Sequence, residues 1–271
     1  GVRKDAAVIA AGYLRHVFLD GRAWRLAADV PLHGSTEGAG GNAGLLAPMP
    51  CVGWFGKIPS VGDFVTRRLP PGFVKPWDQW LQSGMSESRR RMGERWVDVY
   101  LTFPVWRFLL PVGVLGSTAW TGVLMPSVDR VGRYFPLTLA TPLNRSDFDG
   151  LGLNDLEVLL KGLEDAGLAG LDGEHIDQFD LRIRGLPHSP RTTARSLPPL
   201  DSLQNEEQVG HWPLAKGLDA ELSRQAGLHL LSFLGRRSAW WLPGVEQSGG
   251  TIRLDRWPMA IDAFETLILQ D

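Results

Sequence analysis

The stretch WRFLLPVGVLGSTAWTGVLMPSVDRVGRYFPLTLATPL, residues 106–143, decides the fold. Within it Phe108–Leu115 and Trp120–Met125 are continuous apolar runs split by Gly116 and Ser117, and Phe135–Ala140 makes a third. A strand with one wet face alternates apolar with polar residues, whereas unbroken runs of this length suit strands covered on both faces. The expectation is an α/β protein, a three-layer α-β-α sandwich with a mixed central sheet.

The flanks supply the covering elements. Upstream, Val52–Ile58 is short, aromatic and bounded by Pro59, which predicts a strand. Pro71 then opens a helical pattern in which Phe73, Trp77, Trp80, Leu81, Met85 and Met92 share one face. Downstream, Asn154 with Glu157 has the spacing of a helix cap, and Leu156, Leu159, Leu160 and Leu163 continue the pattern until Gly167 closes it. Gln178–Arg184 alternates Phe179, Leu181 and Ile183 with polar residues and predicts a half-exposed strand. Leu186–Pro213, rich in Pro, Ser and Asn, predicts a long surface loop. Leu228–Leu234, Ser238–Leu242 and Thr251–Leu254 predict strands, and Pro258 opens a last helix with Ile261, Phe264, Leu267 and Ile268 on one face.

Residues 1–48 differ in character from the rest of the chain, and Gly34–Gly44 has linker composition, with five glycines beside Ser35, Thr36 and Asn42. The expected division is 1–48, an N-terminal extension or linker outside the native protein, and 49–271, one α/β domain starting naturally at Met49. Ala6–Leu19 is apolar but broken by Arg15 and His16, too short for a signal core of about 7 to 15 apolar residues with a cleavage site or for a span of about 20.

Composition narrows the function. With 44% apolar and 21% charged residues the chain is of globular type. A net charge of −2 gives no concentrated basic surface for nucleic acid or an anionic membrane. Cys51 is the single cysteine, so no intrachain disulfide and no multi-cysteine metal site can form, in keeping with a reducing, cytoplasmic setting. The six histidines, at 16, 33, 175, 188, 211 and 229, never take a two-ligand spacing, and neither metal nor cofactor is expected.

Two segments are dense in turn-forming residues, Gly56–Phe64 and Met125–Pro136, and each comes directly after a strand. Gly, Pro and Asp there prescribe rigid loops, expected at one edge of the sheet where a contact surface or a crevice can form. Gly56-Lys57 followed by Ile58-Pro59 lacks the Gly-rich run and the adjacent Ser or Thr of a phosphate loop. Asp63 and Asp129 could pair as carboxylates of a small hydrolase or a phosphate-ester-binding protein, but no His, Ser or Cys completes a catalytic constellation. Arg67-Arg68, Arg89-Arg90-Arg91 and Arg236-Arg237 are compact cationic groups able to clamp an acidic partner, or solvated faces. Adjacent Trp240-Trp241 in a strand must point to opposite faces.

Trp54-Phe55-Gly56-Lys57-Ile58-Pro59 with Gly62-Asp63-Phe64, Pro76-Trp77-Asp78 with Trp80-Leu81, and Pro104–Phe108 resemble the TagF family (ImpM, SciT). Gly122–Leu137 is the most specific part, and Trp240-Trp241 matches the family's late tryptophan pair; the resemblance spans about residues 52–270. It implies an α-β-α sandwich and a cytoplasmic, non-enzymatic, post-translational repressor of bacterial type VI secretion. The implied partner is a forkhead-associated scaffold, alongside a Thr kinase and phosphatase pair; no catalytic residue comes with it. The contact surface is expected to use Lys57, Asp63, Ser127, Asp129, Arg130, Arg133, Trp240 and Trp241.

Overall fold

A computed structural model describes residues 51–143, 153–186, 234–243, 251–257 and 261–269. The readings made for residues 1–48 and Met49, for nearly all of Leu186–Pro213, for residues 228–233 and for Pro258 lie outside the described residues.

Among the described residues seven strands form one sheet: β1 (Gly53–Gly56), β2 (Val65–Arg67), β3 (Trp106–Leu110), β4 (Ala119–Met125), β5 (Leu137–Leu143), β6 (Arg237–Leu242) and β7 (Thr251–Arg256). Their order is β2-β1-β5-β4-β3-β6-β7 and every pairing is antiparallel. The sequence reading expected a mixed sheet. The apolar runs of β3, β4 and β5 report burial of both faces, which an antiparallel sheet achieves equally well when elements cover it on each side.

Among the described residues five α-helices accompany the sheet: α1 (Pro71–Met92), α2 (Trp96–Thr102), α3 (Leu153–Leu171), α4 (Ile176–Arg184) and α5 (Ile261–Leu269). Along β3, Trp106, Phe108 and Leu110 turn to one apolar cluster with Trp77 and Leu81 of α1, Trp96 and Tyr100 of α2 and Phe264 of α5. Val105 and Leu109 turn to a second cluster with Leu160 and Leu163 of α3 and Phe179 and Ile183 of α4. The alternation is the period of two that a strand imposes. Trp77 sits at the centre of the first cluster, its ring parallel to Trp240 and Trp257 at 5.7 and 5.8 Å and its Nε1 donating to Thr138 Oγ1 at 2.9 Å.

Two further expectations are corrected. Gln178–Arg184 is helical, within α4, and buries Phe179, Asp180 and Ile183, at helical spacing, while Leu181 stays exposed. Gly167 does not end α3, which continues to Leu171. A Cβ at Gly167 would lie 2.4 Å from Met125 Cε, and one at Gly170 would lie 2.5 Å from Phe179 Cε2. Both glycines therefore mark close approach of α3 to the sheet and to α4, which offsets their low helix propensity.

Gly122, at the centre of β4, is under the same constraint: a Cβ there would meet Leu139 O at 2.1 Å and Phe108 Cζ at 2.7 Å. Gly122→Ala is expected to lower unfolding stability by roughly 1–3 kcal/mol, as overpacked core positions do, measured by urea denaturation. An unchanged midpoint would contradict this packing.

Candidate functional site

β1 and β4 each pair antiparallel with β5, which lies between them, so β1 and β4 run in the same direction. The segments leaving their C-terminal ends, 57–64 and 126–136, must then emerge at one end of the sheet. They meet there. Ser127 Oγ donates to Lys57 O at 2.6 Å, Arg130 N donates to Val61 O at 3.0 Å, and an Arg133 guanidinium nitrogen donates to Gly62 O.

Asp129 is the hub and is wholly buried. Its Oδ1 accepts from the backbone N–H groups of Val131 and Arg133, both at 2.9 Å. Its Oδ2 accepts from Lys57 Nζ at 2.5 Å and Arg133 Nε at 2.7 Å. The turn closes through Asp129 N to Arg133 O and Gly132 N to Asp129 O, each 3.0 Å, with Gly132 at a φ of 84° that suits glycine. Burial alone would raise the carboxyl pKa, but the donors from Lys57, Arg133 and Val131 outweigh it and hold Asp129 at about 2.

Two further contacts fix the pair of loops. Tyr100 OH donates to Ser127 O at 2.9 Å and accepts from Ser127 N at 3.1 Å. Burial pushes the Tyr100 hydroxyl well above its usual range, so it keeps its proton and both bonds. Lys57 Nζ lies 4.6 Å from the centre of the Phe64 ring, which packs edge-on against Phe135 at 4.7 Å. Gly56 has a φ of 134°, and a Cβ there would lie 2.1 Å from Pro136 O, so only glycine lets the first loop leave so near the end of the second.

The expected contact residues therefore separate. Lys57, Ser127, Asp129 and Trp240 are buried and cannot themselves touch a partner; three of them hold the loops and Trp240 belongs to the core around Trp77. Asp63 is exposed and accepts only from Phe64 N, at 2.8 Å, among the described residues. Arg130 is exposed and enters no ion pair among them, and Arg133 is half exposed. Trp241 lies on the face opposite Trp240, partly buried, with Nε1 donating to Glu157 Oε1 at 3.1 Å. With both its oxygens occupied, Asp129 is not poised to share a substrate with Asp63.

Sequence reading missed two polar clusters. Asp180 accepts from Trp54 Nε1, Arg68 Nη1 and Arg184 Nε, all at 2.9 Å, while Arg68 Nε donates to Val52 O at 2.8 Å. Burial opposes ionisation there too, yet Arg68 and Trp54 hold the Asp180 carboxyl at about 2. Arg107, buried in β3, pairs with Glu157 and, at 2.7 Å, with Glu164 of α3. Reading 178–184 as a strand placed Asp180 on the wet face and hid the first cluster. The second had only Arg107, set among apolar neighbours, as its signal.

Residues 53–186, which contain both loops, match the family of the TagF N-terminal domain, described as type VI secretion system-associated. Among solved structures, PA0076 from Pseudomonas aeruginosa PAO1 is similar: 35% identical, TM-score 0.62, the match covering 81% of this chain and 94% of that one. No curated protein matches. Trp240-Trp241 lies outside the family match.

The Asp129 pKa sets a sign. Held at about 2 against an ordinary 3.8, the carboxylate contributes stability that is complete above pH 4 and is lost as pH falls toward 2. The difference is worth roughly 2 kcal/mol. Thermal unfolding measured between pH 5 and 2 is expected to show a shallower acid-side decline for Asp129→Asn than for the unsubstituted protein, with Asp180 and Glu87, whose carboxyls are also held low, contributing to what remains.

Proposed function

We propose, from the premise that this chain belongs to the TagF family of type VI secretion-associated proteins, that it is a non-enzymatic negative regulator of such a system. It acts after translation, in the cytoplasm, by binding the forkhead-associated scaffold, in the setting of a Thr kinase and phosphatase pair. The architecture we assign is the three-layer α-β-α sandwich, with helices over both apolar faces of the sheet. Such layering leaves the ends of the strands as the polar, irregular surface through which a partner is met. Among the described residues no helix is long and apolar enough to cross a membrane.

The observation that carries the reading is the cross-braced loop pair. A surface already fixed by Asp129, Lys57 and Tyr100 loses little conformational freedom on binding, so more of the contact energy appears as affinity. What it presents is Arg130 and Arg133 with Phe64 and Val131, 46% and 49% exposed, beside the exposed carboxylate of Asp63. Guanidinium groups beside apolar surface suit an acidic or phosphorylated protein segment. A regulatory reading is favoured over a paired-carboxylate hydrolase because Asp129 commits its charge to the loops.

Titration calorimetry with the purified scaffold tests this. Arg130→Glu is expected to weaken binding about ten-fold or more without moving the melting temperature, since no ion pair among the described residues involves it. Lys161→Glu, on the exposed side of α3, serves as the control that leaves affinity unchanged. Undiminished binding by Arg130→Glu would remove these loops from the interface.

A further inference from the structure

The two edges of the sheet are built differently. At one edge β2 has three residues, is succeeded by Arg68 at a φ of 60°, and runs into Pro70-Pro71. Such features stop further strand pairing. At the other edge β7 runs six residues, Thr251-Ile252-Arg253-Leu254-Asp255-Arg256, without Pro or Gly and in unbroken register with β6. Among the described residues β6 is its only strand partner, so alternate N–H and C=O groups along its outer side have no strand to pair with.

The side chains of β7 sort by face. Ile252 lies opposite Trp241 and Leu254 opposite Ala239, on the face of the α3 and α4 cluster, yet Ile252 is 62% exposed and Leu254 37%. On the other face Arg253 and Asp255 form an ion pair within the strand. The edge thus combines backbone with no outer partner among the described residues, exposed aliphatic residues and charges that alternate in sign.

We propose that β7 is a pairing edge for a second copy of this chain, the two strands joining antiparallel about a two-fold axis through Leu254. Symmetry fixes the register. A two-fold between identical antiparallel strands sets one residue opposite its own copy, and that choice determines every other pair. Centred on Arg253 or Asp255, like charges meet at the axis, which is unfavourable. Centred on Ile252 or Arg256, the ladder shortens, and the second choice again sets Arg against Arg. Centred on Leu254, two leucines meet at the axis and Arg253 faces Asp255 of the partner subunit on both sides of it. Ile252 then faces Arg256 of the partner subunit, whose aliphatic stem can cover it. Charges on edge strands commonly bar pairing; here their order bars other registers and admits this one. The inference rests on β7 alone and is independent of the loop surface.

Sedimentation of the full chain from low to several hundred micromolar is expected to show monomer passing to dimer. Leu254→Lys is expected to raise the dimer dissociation constant about ten-fold or more with the melting temperature unchanged. In a Cys51→Ser background, Leu254→Cys is expected to give a disulfide-linked dimer on mild oxidation. Ile252→Cys is expected to give none, because its two copies would stand roughly 13 Å apart along the strands, beyond disulfide reach. A chain that stays monomeric throughout, or one that cross-links equally at both positions, overturns the proposal. Should Leu254→Lys fail to fold, the cysteine pair still decides.

Discussion

Asp129 is an ionised carboxylate with no access to solvent, held between the ammonium of Lys57, the guanidinium of Arg133 and two backbone amides. Taking both partners of the Lys57 pair out of water costs several kcal/mol per ion by general experience, so such a pair is weak grounds for stability. Its consequence is geometric. A buried charge with four donors tolerates one arrangement of those donors, and they come from both loops. The pair therefore joins two separate connections into one shape, and Tyr100 ties that shape to α2 through Ser127.

The arrangement is available only because of the sheet topology. β5 separates β1 from β4, and two successive antiparallel pairings make the outer two strands point the same way. Their exits are then neighbours across one intervening strand, a spacing that a Lys and an Asp side chain can bridge. Rigidity of the strand ends in turn comes from the aromatic layer beneath. Trp77 packs on Phe73, Trp80, Phe108 and Trp240, and the indole N–H groups of Trp54, Trp77, Trp96 and Trp106 each reach an acceptor. Large rings with one polar atom fix both packing and orientation, which explains their abundance in a chain without disulfides.

What could be read from the sequence was what depends on periodicity along one segment. The apolar runs of β4 and β5, the stripe of α1 and the opposite facing of Trp240 and Trp241 are all visible locally and are found, while the run read as Phe108–Leu115 is strand only to Leu110 and turns at Pro111. Strand direction was not readable, because burial of two faces is the same signal in parallel and antiparallel sheets. Phe179, Leu181 and Ile183 misled because period-two spacing in so short a segment is compatible with a helix that buries only the outer two. Gly167 misled for the complementary reason: a stop signal in isolation, it is a helical position lying close against Met125 of β4. Asp180 and Arg107 were invisible as sites since most of their partners, Trp54 and Arg68 for the one and Glu157 and Glu164 for the other, lie more than forty residues away.

The residues most conspicuous in the sequence face inward. Lys57, Ser127 and Asp129 stand out by their company of Gly and Pro, and that company exists because a buried polar knot needs special backbone angles around it. Surface recognition makes no such demand, since an exposed Arg, Val or Phe can sit on ordinary backbone. Arg130, Val131 and Phe64 are exposed where the knot puts them, as Leu254 is where the sheet edge puts it; of these only Arg130 was expected at the surface from the sequence. The physical order runs from topology to loop proximity, from proximity to the buried ion pair, and only from that pair to the exposed surface. A contact role assigned directly to the unusual letters inverts that order, and the burial of Asp129 is the observation that corrects it.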